Sequence, residues 1–215
     1  MKTSWKRLSI DNWERKHIYE GFRACEFPFL VVGANVNLGN SPEYWKTAGI
    51  SPYLACVYAI CKAANEIPAF RQRMRGDDLI EYDTVHADFT VPAGEASFTI
   101  RQIPFTSEFQ PFYQAASSKE DVGFIMPGDI TELDHWIFMS CLPWISFTHV
   151  MQPMQSLKND CIPRIVWGKF SQQGSLWNMP ISVQAHHSLV DGLHIAQLLS
   201  RLENYFANPE STFQL

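Results

Sequence analysis

The stretch Gln184-Ala185-His186-His187-Ser188-Leu189-Val190-Asp191-Gly192-Leu193-His194 gathers three imidazoles and a carboxylate around one glycine. Imidazole is the side chain best suited to moving a proton near neutral pH, because its ordinary pKa is about 6.5. Adjacent histidines in an extended strand point to opposite faces, so His186 and His187 make a poor start for tetrahedral metal ligation. His186 and His194 therefore read as hydrogen-bonded or packing residues around His187, with zinc as the competing use. His17, His86, His135 and His149 have no motif context. Asp191 and Gly192 have an ordinary structural use as well, since an aspartate caps a helix and a glycine permits a tight turn. Ser140 is the small hydroxyl of an apolar stretch ending in Leu142-Pro143-Trp144. The chain lacks a G-x-S-x-G elbow, which counts against a serine hydrolase.

These groups need a strand before them and a helix after them. Residues 179–185 alternate, with Ile181, Val183 and Ala185 on one side and Ser182 and Gln184 on the other. Ile195, Leu198, Leu199, Leu202 and Phe206 fall on one helical stripe. Near the start, Asp11 with Glu14 at capping-box spacing predicts a helix through Trp13, His17, Tyr19 and Phe22. An apolar strand is expected over 27–36, closed by the turn residues of 37–42. Ser51 and Pro52 open a helix carrying Leu54, Val57, Tyr58, Cys61 and Ala64, which Pro68 ends. Strands are expected at 79–83, 86–91, 96–103, 135–144 and 164–170, and a helix within 109–121. A loop at 126–129 and a hairpin connection at 171–175 complete the pattern. No repeat or linker divides the chain, so one domain over residues 1–215 is expected. Its class is an α/β (α+β) sandwich, a mixed β-sheet covered by helices.

Composition narrows the partners. A net charge of −5 without a basic cluster argues against nucleic acid, whose phosphates demand concentrated Lys and Arg. The charged share is 18%, against about 25% in ordinary globular chains. Together with seven Trp and fifteen Phe, that share implies surface buried beyond the core of one copy, most simply in an oligomer. Residues 1–7 are not followed by the apolar run of a secretory signal, and no window approaches about eighteen uninterrupted apolar residues. A soluble, cytoplasmic protein without a membrane partner is expected. Cys25, Cys56, Cys61, Cys141 and Cys161 are odd in number and form no CxxC pair, so they read as reduced packing thiols.

His186-His187-Ser188-Leu189-Val190-Asp191-Gly192 matches HHxxxDG. Chloramphenicol acetyltransferases, the acyltransferase cores of 2-oxoacid dehydrogenase complexes and peptide-synthetase condensation domains share that signature. Trp13-Glu14-Arg15 resembles the W-x-R of the first group, Ser140-Cys141-Leu142-Pro143-Trp144-Ile145-Ser146-Phe147 its S-A-x-P-W-x-x-F, and Asp191-Gly192-Leu193-His194 its D-G-F-H. Three ordered motifs across nearly the whole chain thus resemble the chloramphenicol acetyltransferase family.

The resemblance implies an acetyl-CoA-dependent O-acetyltransferase, with acetyl-CoA as co-substrate and no metal. His187 matches the general base that takes the proton of the acceptor hydroxyl, and Ser140 the donor that hydrogen-bonds the oxyanion. Asp191 and Arg15 match a buried ion pair that holds the motif turn. Trp144, Lys169 and Phe170 fall in the region that lines the coenzyme channel. The resemblance also implies a homotrimer whose active sites lie between subunits, with the base donated across the interface.

Departures concentrate in the acceptor pocket. Phe22 stands where the family has a Tyr that contacts the antibiotic, and Gly21 where it has a Phe. Phe138 replaces an Asn, Val150-Met151-Gln152 replaces F-N-L, and Val166 replaces a Thr. The expected acceptor is a hydroxyl of chloramphenicol or a related small molecule. The alternatives are a different acceptor, or a non-enzymatic binding or assembly module that keeps the motif for stability. A rise in melting temperature with acetyl-CoA would separate the enzyme from the module.

Overall fold

The computed structural model describes residues 3–118, 134–157, 159–174 and 176–215. In chain order the elements are β1 (Trp5–Leu8), a 3-10 turn (Ile10–Asn12), α1 (Lys16–Arg23), β2 (Phe29–Gly39), α2 (Ser41–Ala48), α3 (Pro52–Asn65), the single turn α4 (Pro68–Arg71), β3 (Gln72–Arg75) and β4 (Asp78–Tyr82). There follow β5 (His86–Pro92), β6 (Phe98–Ile103), α5 (Phe109–Ser117), β7 (Trp136–Leu142), β8 (Arg164–Gly168), β9 (Ser171–Gln173), β10 (Leu176–His186), α6 (Gly192–Ala207) and α7 (Pro209–Thr212).

Seven strands form a mixed sheet in the order β2-β10-β8-β7-β5-β6, with β9 paired to β10. β5, β7 and β8 run parallel, and the remaining pairs are antiparallel. A second, three-stranded sheet has the order β1-β4-β3. This is the mixed sheet with helices that the patterning predicts. One face of the large sheet is closed by α3 and α6. Residues 54–61 of α3 are all buried, as befits a helix apolar all round, while α6 buries only the stripe of Ile195, Leu198, Leu202, Tyr205 and Phe206. These side chains join Val36, Phe89, Ile137, Ile165, Ile181 and Val183 of the strands in one continuous core.

Alternation puts Asp88 and Thr90 of β5, Phe138 and Ser140 of β7, Arg164 and Val166 of β8, and Ser182 and Gln184 of β10 on the opposite face. Residues 145–152 run against that face without forming a strand. Val150 N donates to Ser182 Oγ at 3.0 Å, and Ser182 Oγ donates to Val150 O at 3.0 Å. Gln152 N donates to Gln184 Oε1 at 2.7 Å, and Gln184 Nε2 returns a bond to Gln152 O at 3.3 Å. Side chains thus replace the usual main-chain ladder. The approach is close enough that a Cβ on Gly33 would lie 1.5 Å from Thr148 O, so only glycine fits there. Further on, Asp160 receives Arg164 Nη1 at 2.9 Å and Nη2 at 2.5 Å, and both side chains are buried.

Several expectations are corrected. Asp11 caps no helix: it accepts from Lys16 Nζ at 2.8 Å, and α1 begins only at Lys16 with Arg15 as its N-cap. The strand expected to end at 36 runs to Gly39, whose φ of +54° turns the chain into the unexpected helix α2. Pro68 opens α4 as well as following α3. β1 and β3 carry no strand signal in the sequence, because charged residues interrupt their alternation. Arg73 tolerates full burial by donating to the carbonyls of Phe70, Gln72, Asp134 and Trp136. The 126–129 loop, the end of the 109–121 helix and Ser175 lie outside the described residues. All five thiols are free, and Cys25 is exposed instead of packed. Among the described residues no helix is long and apolar enough to cross a membrane.

Candidate active site

β10 delivers the histidine pair. His186, its last residue, points inward, and burial pushes its imidazole down to about 4. Its Nδ1 accepts a bond from Ser188 N at 3.3 Å. His187 follows the strand and is only half-buried, with its amide bound to Pro28 O at 2.7 Å. His187 Nδ1 lies 3.2 Å from Val190 O. A carbonyl can only accept, so Nδ1 carries the proton of the neutral ring and Nε2 keeps its lone pair. Nε2 makes no hydrogen bond among the described residues. The ring of Phe22 stacks on the imidazole at a centroid distance of 3.8 Å and 19°. The ring's tilt, tautomer and exposed nitrogen are thereby all set.

Three contacts dock α1 on this turn. Phe22 meets His187, Ser188 Oγ donates to Tyr19 O at 3.0 Å, and Arg15 Nη1 pairs with Asp191 Oδ2. Asp191 also caps α6, accepting from Leu193 N at 3.0 Å and His194 N at 3.4 Å, and His194 Nδ1 closes the capping box on Asp191 N at 3.1 Å. Burial alone would raise the Asp191 carboxyl, but the Arg15 hydrogen bond and the charges of His194 and Arg15 hold it below its ordinary value.

The Arg15 and Asp191 side chains are 20% and 23% exposed, so the pair is half-buried where full burial was expected. Breaking it should therefore cost less than the roughly 3 to 5 kcal/mol of a buried pair. Arg15→Ala and Asp191→Asn, the latter keeping the cap, should each lose about 1 to 2 kcal/mol in urea unfolding. A double-mutant cycle should return a coupling of about 1 kcal/mol, and strictly additive losses would remove the pair from this account.

Ser140 stands elsewhere on the sheet. Its Oγ is 3.0 Å from Thr90 Oγ1 on the neighbouring parallel strand β5. A serine hydroxyl that gives its proton to a ligand needs a donor to its own lone pair, and Thr90 is placed to be that donor. Phe138 precedes it on the same face and lies over the Arg164 guanidinium at 5.3 Å. Val166 lies beside Ser140 in register but is buried. Val150 is fixed to Ser182, as described above. Trp144 is 78% exposed, and exposed Lys169 binds Ile145 O through its amide at 2.9 Å. Phe170 turns inward, its ring 6.4 Å from that of Trp45. Among the described residues no group of three or more His, Cys, Asp or Glu could hold a metal ion.

Strand register sets the separation of the two centres. Ser140 is level with Val166 and Val166 with Ser182, so His187 is two strands across and five residues along from Ser140. With strands about 4.8 Å apart and a rise of about 3.3 Å per residue, the two Cα atoms are roughly 20 Å apart. One chain therefore holds two candidate half-sites apart: His187 with Phe22, and Ser140 with Thr90 and Phe138.

The model of a protein family described as chloramphenicol acetyltransferase matches residues 3–203. The chain belongs to the chloramphenicol acetyltransferase family. It is 26% identical over 209 residues to chloramphenicol acetyltransferase 3 of Escherichia coli, covering 93% of this chain and 96% of that one. With a chloramphenicol acetyltransferase of Staphylococcus aureus it shares 25% over 213 residues, 96% and 97% of the two chains. A solved chloramphenicol acetyltransferase superposes with a TM-score of 0.84 at 27% identity, over 94% of this chain and all of the other. A dihydrolipoamide acetyltransferase of Azotobacter vinelandii has the same fold, with a TM-score of 0.64 at 16% identity over 92% and 88% of the two chains.

The chloramphenicol acetyltransferase family uses acetyl-CoA as co-substrate, so the chain is an acetyltransferase by descent. In this family member, three residues of the two half-sites escaped the sequence patterning. Ser188 was hidden inside the HHxxxDG spacer. Thr90 and Asp88 sit in a readable strand, but only the long-range parallel pairing of β5 with β7 reveals that they neighbour Ser140 and Phe138.

Proposed function

We propose that the protein transfers an acetyl group from acetyl-CoA to a hydroxyl of chloramphenicol or a related small molecule, at sites assembled between the copies of a homotrimer. The observation that carries this reading is the pair of half-sites roughly 20 Å apart in one chain, each incomplete alone. A second copy that brings its His187 over this chain's Ser140 completes both. Three copies is the arrangement the family resemblance implies. The exposed Trp144, Ile145, Met151 and Leu157 around the segment against the Ser140 face support burial of that surface.

In this mechanism His187 Nε2 takes the proton of the acceptor hydroxyl as its oxygen attacks the thioester carbonyl. The carbonyl oxygen becomes an oxyanion and accepts a bond from Ser140 Oγ, whose proton Thr90 orients outward. Collapse breaks the carbon–sulfur bond, and the departing thiolate takes the proton back from the imidazolium. The new ester and free coenzyme leave. Phe22 holds the imidazole plane, and Asp191 with Arg15 holds the turn. Trp144 and Lys169 are exposed where the coenzyme would approach, whereas Phe170 would act from beneath.

The test is thiol release from acetyl-CoA with a panel of hydroxyl acceptors. Chloramphenicol should be acetylated, and Phe22→Tyr should raise its kcat/KM about two- to tenfold, the worth of one neutral hydrogen bond. Absence of acceptor-dependent thiol release across the panel would overturn the reading.

A further inference from the structure

Four acidic side chains are buried among the described residues: Glu81, Asp88, Asp134 and Asp160. Three of them face a cation. Glu81 has Arg71 at 3.4 Å, Asp134 has Arg75 at 2.8 Å, and Asp160 has Arg164 at 2.5 Å. Asp88 has none. Its Oδ2 accepts from Gln102 Nε2 at 2.8 Å, and its Oδ1 accepts no hydrogen bond among the described residues. Burial pushes this carboxyl up to about 6, with the Gln102 amide offsetting only part of the effect. A fold gains little from a buried carboxylate with one neutral partner, so the group calls for a ligand that supplies the missing charge.

Its position says which ligand. Asp88 is level with Phe138 across β5 and β7, on the sheet face that carries Thr90 and Ser140. Two residues along the strand and one strand across place its Cα roughly 8 Å from that of Ser140. Phe138, Thr90, Ile100 and Gln102 around it are only partly buried, so the face is not closed over them. A molecule presenting its hydroxyl above Ser140, to the His187 of a second copy, would lay its adjoining carbons over Phe138 and bring a group two or three carbons away to the carboxylate.

We propose that Asp88 is the specificity-determining residue of the acceptor pocket and binds the ammonium group of an amino alcohol whose hydroxyl meets the His187 of a second copy above Ser140. This rests on the acetyl-transfer reading for the placement of the hydroxyl. A cation satisfies both the free Oδ1 and the uncompensated charge, which a neutral donor cannot do.

Binding measured without acetyl-CoA separates this proposal from the proposed function. Phenylserinol, an amino diol charged at pH 7, and its neutral N-acetyl amide serve as probes in titration calorimetry of the full-length protein. The wild type should bind the amine at least tenfold more tightly than the amide. Asp88→Asn, which keeps the shape and an acceptor for Gln102, should bring the two affinities within about twofold of each other. Equal or undetectable binding of the two probes by the wild type would overturn the proposal without any use of the variant, as would an unchanged preference in Asp88→Asn. Acetyl transfer without a preference for the amine would leave the enzyme reading standing while this one fails. A binding preference without transfer to any acceptor would overturn the enzyme reading and the placement of the hydroxyl, and leave Asp88 as an ammonium site.

Discussion

His187→Ala should lower acetyl transfer at least a thousandfold while the protein still unfolds cooperatively. A positioned general base contributes about a hundred- to ten-thousandfold, and here the tautomer, the ring plane and the free nitrogen are all held by Val190 O and Phe22. Ser140→Ala should lower turnover about a hundred- to a thousandfold, the usual worth of one oxyanion donor. The separation of the half-sites turns this pair into a sharper experiment. If base and donor come from different chains, co-assembling the two inactive variants regenerates intact junctions, because each supplies what the other lacks. Random mixing in a ring should restore about a quarter of wild-type activity. A mixture no more active than the average of its components would show that each chain works alone, and would remove the shared site.

Asp160→Ala should destabilise the protein by about 3 to 5 kcal/mol, the usual result of leaving a buried guanidinium unpaired. Asp160 also binds the loop, accepting from Gln155 N and Ile162 N at 3.3 Å each. The variant leaves Arg164 Nη1 only Ile162 O, at 2.9 Å, beneath the ring of Phe138. Activity should fall along with stability, since Phe138 rests on that guanidinium one strand away from Asp88. Unfolding in urea within about 1 kcal/mol of wild type would show that the loop holds without the pair.

The His187 half of the candidate site was legible because its determinants are local. Alternation over 179–185 gives β10, the stripe from Ile195 to Phe206 gives α6, and Asp191 between them caps the helix as its residue type predicts. In the Ser140 half, Ser140 and Phe138 were legible through the family resemblance, but Thr90 and Asp88 were not, because the register of β5 and β7 is fixed by pairings many residues apart and leaves no period in the sequence. The start of α1 was misplaced for an electrostatic reason: Lys16 captures the carboxylate of Asp11 that would otherwise cap. Asp160 and Arg164 show the opposite hazard. Their spacing of four is that of a helix-surface pair, yet they meet in a loop leading into a strand.

The bonding of residues 150 and 152 to Ser182 and Gln184 bears on how this protein can change over evolutionary time. The clamps act through main-chain groups of Val150 and Gln152 and are indifferent to the side chain between them. Met151 sits in that gap with 59% of its surface exposed. Its identity can drift, or be randomised in a library, while the path of the chain over Gly33 is preserved. The same clamps make Gly33, Ser182 and Gln184 a fixed frame around a replaceable tip, so position 151 can be exchanged without first reinventing the scaffold that presents it.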